Sequence, residues 1–483
     1  MKWWVKRKLH ISDIIGLSAA GLIIGVALSF WLNLTALVSV VWLAVAMLLF
    51  ALCAWRKTIL VIPLAVIAGL IIGTWRTDVS LIQLRQIQKF NGQTITISGN
   101  VFEDPDIKED GTLTIKLNNL RLPGSKLEGN IFAQISGKTD IKRSDNVTLS
   151  GKLGDSFGSF AGSMFRAQVQ NITRPKPGDI ARQVRDWFGG LVRKVIPETE
   201  ADLGLGYLVG QRKALSDSMV EILKLTGLTH IVVASGYNLT IIVRFTRRLF
   251  IKISKFTATF AAFTLIVSFI LVAGVSPSML RAGLVAGLSL LAWYYGRKFH
   301  PANLILLVAA ITLLLSPSYI VDLGWLLSFG SFVGVLLVAP FISAYFFGKQ
   351  KVPAVPQILI ETFSAQICVM PILIYFFGQI SVVSLLTNML VLPTIPLAML
   401  LVFLAGATYL VWPLLAQVVG FVATWLIRYH QMVMNYFGNL SWAMFDVNFN
   451  LFGVAICYTI IATVTWYMKQ ATGYQLMRFS VVE

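Results

Sequence analysis

Cysteine is scarce in this chain of 483 residues. Cys53, Cys368 and Cys457 lie far apart, each inside an apolar stretch, which argues against a disulfide framework or a cysteine metal cluster. Histidine is as sparse: His10, His230, His300 and His430 form no H-x-H or H-E-x-x-H pair, so a zinc site of local motifs is excluded and a metal-dependent nuclease disfavoured. No G-x-x-x-x-G-K-[ST] loop occurs, so the chain does not hydrolyse ATP by that route. No metal or cofactor is implied. Charge is also low, at 13% of residues, against 56% hydrophobic residues. Several apolar runs reach the roughly 20 residues a helix needs to cross a bilayer, so the chain reads as an integral membrane protein. The first run, residues 12–32, carries no Ala-x-Ala cleavage site and is followed directly by another, as a retained helix would be.

What charge there is has one sign, with a formal net of +18. Fifteen cations and no carboxylate occupy residues 1–10, Arg56–Lys57, Arg244–Lys255, Arg297–Lys298 and Lys349 with Lys351. Clusters of this kind between apolar runs mark cytoplasmic loops, so the excess speaks of membrane topology before it speaks of a nucleic-acid partner. This places the amino terminus in the cytoplasm.

Three runs, near 12–32, 34–54 and 58–75, make an N-terminal transmembrane segment, residues 1–78. Residues 90–174 then switch to period-2 stretches such as Thr94–Ser98 and Thr112–Leu117, broken by Gly, Asp, Asn and Pro. They predict a small extracytoplasmic β-domain of five or six strands, closing as a barrel. Ten Lys or Arg against nine Asp or Glu between Asn91 and Arg174 leave it nearly neutral, as a structural domain would be, with a local patch of Lys138, Lys142, Arg143 and Lys152 as the alternative site for a strand. Residues 175–224 have helical amphipathic spacing and are expected on the membrane surface. A second membrane domain, residues 225–470, follows. The predicted fold class is mostly α, a polytopic transmembrane bundle with a small all-β domain outside. Residues 380–412, with Asn388, Pro393 and Pro396, read as one long helix or as a broken pair; ending the last run inside would require a pair that enters and leaves on one side.

The most unusual stretch is Leu225–Thr240, LTGLTHIVVASGYNLT, which sets polar groups in an apolar run. Such groups persist at membrane depth where they are buried in protein or line a wet cavity. His230 either faces a path or bridges helices. Ser235, Gly236, Tyr237 and Asn238 permit a helix break whose exposed amides would attract an anion, or form a small-residue packing face. Arg281 either snorkels to the interface or faces inward as a phosphate contact. Asp322 is placed to cap the following helix or to pair with a cation such as Arg281. Gln366 and Asn388 are interhelical glue or path lining.

Four blocks in order resemble the ComEC family of bacterial DNA uptake. They are Gly206–Leu215 (GYLVGQRKAL), Thr226–Leu239 (TGLTHIVVASGYNL), Ser278–Ala282 (SMLRA) and Asp322–Phe329 (DLGWLLSF). Ser364-Ala365-Gln366, Pro371, Phe377-Gly378-Gln379, Asn388 and Pro393 add the family's later landmarks. The resemblance implies an OB-type outer barrel and a cytoplasmic-membrane channel conducting single-stranded DNA during natural transformation. Partners implied are the strand, a DNA receptor, a cytoplasmic helicase or ATPase motor, and a separate nuclease, within membrane lipid. Candidates for the path are His230, Ser235, Gly236, Asn238, Arg281, Gln366 and Asn388. Structural candidates are Thr226, Gly227, Asp322, Gly324, Ser328 and Pro393. No catalytic residue is assigned, and the function expected is transport, not enzymatic chemistry.

Departures narrow what carries over. Gln211, Asn238, Leu323 and Leu326 replace the family's Asp, second His, Pro and Gln, so those groups are not essential here. A mechanism needing two titratable histidines is disfavoured. The H-x-H-x-D-H motif of the β-lactamase-like domain found in many members is absent, so the expected form is a short one. Two rivals remain, a secondary transporter for a small solute and a non-conducting scaffold for uptake partners. The first predicts inverted repeats, which the hydropathy pattern does not display.

Overall fold

The computed structural model describes residues 10–32, 39–56, 61–107, 111–122, 125–127, 129–137, 139–211, 215–232, 236–297, 300–348, 350 and 352–476. Among them, seven helices are long and apolar enough to cross a membrane. The chain forms two compact units, Met1–Gly178 with Phe299–Leu326, and Asp179–Lys298 with Leu327–Glu483.

In the first unit, α1 (Ile11–Leu32), α2 (Val41–Arg56) and α3 (Ile62–Gln88) open the chain. Helices α1 and α3 approach closely because Gly21, Gly25, Gly69 and Gly73 have no Cβ; one added there would lie 1.8–2.4 Å from backbone oxygens of the other helix. Helix α3 extends well beyond the apolar run read at 58–75. Its charged residues are accommodated: Arg76 donates to the Leu314 and Leu315 carbonyls at 2.8 and 3.1 Å, and buried Asp78 accepts from Ser29. The far end of α3 inserts Ile87, fully buried, into the β-domain core.

That domain contains β1 (Thr94–Val101), β2 (Asp106–Ile107), β3 (Thr112–Leu122), β4 (Ser125–Lys126), β5 (Ile131–Ser136), β6 (Asn146–Gly154) and β7 (Gly162–Thr173). Five strands close a barrel in the order β1-β6-β7-β5-β3-β1, and β2 and β4 are short additions to β3. Only the β5–β7 pairing is parallel among these described strands. Alternation sends Leu113, Ile115 and Leu117 of β3 and Ile131, Ala133 and Ile135 of β5 inward. The barrel is the OB-like domain expected.

The second unit begins with α4 (Ile180–Val192), capped by Asp179, whose carboxylate accepts from Arg182 N at 2.9 Å. Its Ile180, Val184 and Trp187 are exposed while Leu191 and Val192 are buried, an amphipathic helix as expected. Helix α5 (Glu198–Val209) differs from that expectation: Glu200 to Tyr207 are all buried, packed in a core with residues of the 395–427 region. Small residues at 201, 204 and 206 let it sit inside, where surface amphipathicity was the expectation. Then come α6 (Asp217–Leu225), α7 (Thr229–Val232), α8 (Gly236–Phe250), α9 (Lys255–Ala273) and α10 (Pro277–Tyr294). The chain returns to the first unit for α11 (Pro301–Leu315) and the start of α12 (Leu323–Val333), which joins α13 (Ala339–Phe347) through a π-helical turn. Helices α14 (Ala354–Phe377), α15 (Ser384–Val391), α16 (Ile395–Tyr409), α17 (Pro413–Gly438) and α18 (Leu451–Thr472) complete it.

Of the two readings of 380–412, the structure has the continuous one. Helices α15 and α16 form one 26-residue apolar stretch, about 39 Å at 1.5 Å per residue, bent by a 3-10 turn at Leu392–Thr394. Pro393 removes an N–H and tightens the turn without reversing it. Polar contacts serve the bend: Tyr429 Oη donates to the Leu390 carbonyl at 3.2 Å, and Thr394 Oγ1 lies 2.8 Å from His430 Nε2. The reversal comes later, at the turn before Pro413. Strands β8 (Gln379–Ser381) and β9 (Met444–Asp446) pair, so the start of α15 and the end of α17 lie together.

Candidate functional site

The unusual stretch is fastened to the segment after β8. Ser381 Oγ donates to the Leu225 carbonyl at 2.5 Å, and Thr387 Oγ1 to the Thr226 carbonyl at 2.7 Å. Between them Gly227, at φ +70°, faces Ser384 so closely that a Cβ would lie 2.4 Å from the serine Cβ. Thr226 is buried and its hydroxyl donates to Ile222 O at 2.7 Å. Thr226 and Gly227 therefore act as the hinge pin of the stretch. The carbonyl of Gly227 accepts from Nδ1 of His230 at 3.1 Å, which leaves Nε2 of that exposed ring facing outward from the bond.

Beyond α7, Ser235 lies outside the described residues. Gly236 opens α8, and an added Cβ there would come within 2.9 Å of Arg281 Nη2. The missing side chain makes room for the guanidinium. Arg281 stands one turn into α10, whose start is set by Ser276 Oγ accepting from Met279 N and by Pro277 in the first turn. Its Nε donates to Ser328 Oγ at 2.5 Å and its guanidinium carbon lies 5.0 Å from the Phe332 ring centroid. Among the described residues no carboxylate pairs with it. The geometry brings together Gly236, Arg281 and Ser328, with Phe332, which sequence reasoning missed; its position one helical turn after Ser328 was the available signal.

The other candidates divide. Gln366 donates to Ser384 Oγ, and its Oε1 and, one turn along α15, Asn388 Oδ1 are buried with no hydrogen-bond partner among the described residues. Ser384 thus links Gly227 to Gln366; Ser381, Ser384 and Thr387 were not singled out, although their spacing of three puts them on one face. Asn238 is fully buried and donates to the Tyr207 carbonyl at 2.8 Å, tying α8 to α5. Pro393 lies in the bend of α15–α16. In the first unit, Asp322 caps α12 by accepting from Trp325 N at 2.9 Å, and it also accepts from Ser159 Oγ of the barrel at 3.0 Å. Gly324 sits 3.2 Å, measured from an added Cβ, from that capping oxygen. Among the described residues, no group of three or more His, Cys, Asp or Glu is arranged to hold a metal.

The second unit therefore offers a guanidinium with no carboxylate partner among the described residues, set against a serine hydroxyl and a phenylalanine ring, and separately a histidine, hydroxyls and amides around the fastened stretch. A family model described as "Competence protein" matches residues 207–471. ComE operon protein 3 of Bacillus subtilis (strain 168) is 26% identical over 228 residues, a match covering 47% of this chain and 29% of that relative. No solved structure matches. The matched residues hold these blocks from Tyr207 to Pro393, leaving out only Gly206, and the chain belongs to the competence protein family, the ComEC family.

Proposed function

We propose that this multi-pass membrane protein conducts single-stranded DNA across the cytoplasmic membrane during natural transformation. The observation that carries the reading is Arg281: a guanidinium inside an apolar bundle, held by a hydroxyl and a ring and unmatched by any carboxylate among the described residues. Burying a charge without a fixed counter-ion is costly, and a passing phosphate would supply what is missing through two parallel N–H···O bonds. His230, Gly236, Gln366 and Asn388 would line the path near it, with Ser235 a further candidate and Asn238 a strut in its wall. Binding at one arginine is weak enough for release, as conduction requires.

The basic loops support an amino terminus in the cytoplasm and a barrel outside. With α15–α16 crossing once and α17 returning, the alternation also brings Lys469 inside. A surface receptor would deliver the strand, a separate nuclease would degrade its complement, and a cytoplasmic helicase or ATPase would pull it. The test is import of labelled DNA into the cytoplasm of cells carrying Arg281→Ala. Surface capture should persist while import falls between about 10- and 100-fold, the worth of one charge-assisted contact. Normal import with the variant present at full level in the membrane would remove Arg281 from the path.

A further inference from the structure

The first unit carries an aromatic surface that conduction does not use. Phe132 of β5 lies 6.3 Å from Phe157, 5.8 Å from Phe160 and 6.2 Å from Phe165, centroid to centroid. A packed cluster of four phenylalanines belongs in a core, yet Phe157 and Phe165 are 65% and 60% exposed. Its place is informative. Phe157 and Phe160 flank Ser159, whose hydroxyl reaches Asp322, and Asp322 caps the helix that opens the apolar span Leu323–Phe347. The cluster therefore stands at the level where a membrane span begins. Phe132 and Phe165 lie near the starts of β5 and β7, the same end of the barrel that receives Ile87 from α3.

Two ligands fit exposed aromatic rings on an OB-like barrel, nucleobases and lipid. Charge separates them. Strand-binding barrels surround their stacking rings with unmatched cations, because phosphate neutralisation carries the affinity. Here Lys116, 5.8 Å from the Phe160 centroid, is paired with Glu103 at 2.6 Å. Arg166, exposed next to Phe165, is a single cation where a strand would need a row of them. We propose that Phe157 and Phe165, backed by Phe132 and Phe160, insert into the headgroup–acyl boundary of the bilayer and dock the membrane-side end of the barrel on lipid. Interfacial apolar groups of this kind sit about 5–10 Å into that boundary.

The test uses the full chain in nanodiscs containing phosphatidylcholine with a nitroxide at carbon 5 of the acyl chain. An environment-sensitive dye is attached at Phe157→Cys in a Cys457→Ser background, Cys53 and Cys368 being buried. The control is Ile107→Cys, 58% exposed on β2 at the opposite end of the barrel. The dye at 157 should lose about half of its emission or more to the nitroxide, as expected at that depth, and the dye at 107 very little. Equal quenching at the two positions overturns the proposal. So does a dye at 157 that ignores the nitroxide and responds to a single-stranded oligonucleotide, which would make the cluster a stacking platform.

Discussion

Two arginines, one in each unit, have opposite surroundings. Arg174, at the end of the barrel's last strand, donates through Nε and Nη2 to Asp145 at 3.0 Å each and through Nη2 to the Asp140 backbone carbonyl at 2.8 Å. These bonds to the Asp145 carboxylate push its guanidinium above its ordinary value, despite some desolvation. Arg281 has a hydroxyl and an aromatic ring. Elsewhere in its own unit the pattern follows the barrel: Arg193 pairs with Asp202 at 2.8 Å and Arg428 with Glu200 at 2.7 Å. The difference is one of partner: Arg174, Arg193 and Arg428 each meet a carboxylate, and Arg281 meets none among the described residues. The phosphate proposed above would supply the partner that Arg281 lacks.

If so, removing a fastener and removing Arg281 should fail in different ways. The largest effect on stability is expected from Asp145→Ala. Asp145 is 1% exposed, and besides Arg174 it accepts from Lys142 N at 2.9 Å, so its loss strands a backbone donor and leaves Arg174 with Asp140 in place of its buried partner. Because Arg174 is partly exposed, the cost is set at about 3 kcal/mol, near the low end for a broken buried pair. A thermal melt of the purified full chain, read through protease resistance of the barrel, checks it; an unshifted midpoint would mean that Asp145 is no fastener. Next comes Ser328→Asp, which places a carboxylate where Arg281 now meets a hydroxyl. It makes Arg281 resemble Arg174. Import should fall as far as in Arg281→Ala, about 10-fold or more, with no loss of thermal stability. Should import stay normal with the pair formed, the phosphate-contact reading fails.

Much of this was legible in the chain itself. Apolar runs and period-2 stretches located the helices and the barrel, because both follow from which faces must leave water. The resemblance pointed to Arg281 and Ser328 together, although only the fold puts one against the other. Three features stayed hidden for physical reasons. Arg76 and Asp78 made α3 read as ending at 75, since a sequence does not reveal that one caps α11 and the other is satisfied by Ser29. Pro393 signalled a break, but whether a proline reverses a chain or bends it depends on partners such as Tyr429 and His430, which lie 36 or more residues away. Asn238 read as a path group because polarity in an apolar run does not say which backbone it meets; it meets Tyr207.

The smallest effect expected concerns the fastening of the motif stretch, and there the comparison can be made within one residue type. Thr387 and Thr246 both carry a hydroxyl that bonds a carbonyl, but to different ends. Thr246 Oγ1 bonds only its own helix, at Ile242 O, 2.9 Å away. Thr387 Oγ1 also reaches Thr226 O, 161 positions away in sequence, at 2.7 Å. Replacing each with valine keeps shape and removes the bond. Thr246→Val should leave stability and import unchanged, since a helix carbonyl already has its backbone partner. Thr387→Val should cost about 1 kcal/mol and reduce import by a few-fold, because Gly227 and the His230 ring it orients are then held by Ser381 and Ser384 alone. Equal behaviour of the two variants would show that the contact across the sequence does not position the path, and that the stretch is held by apolar packing instead.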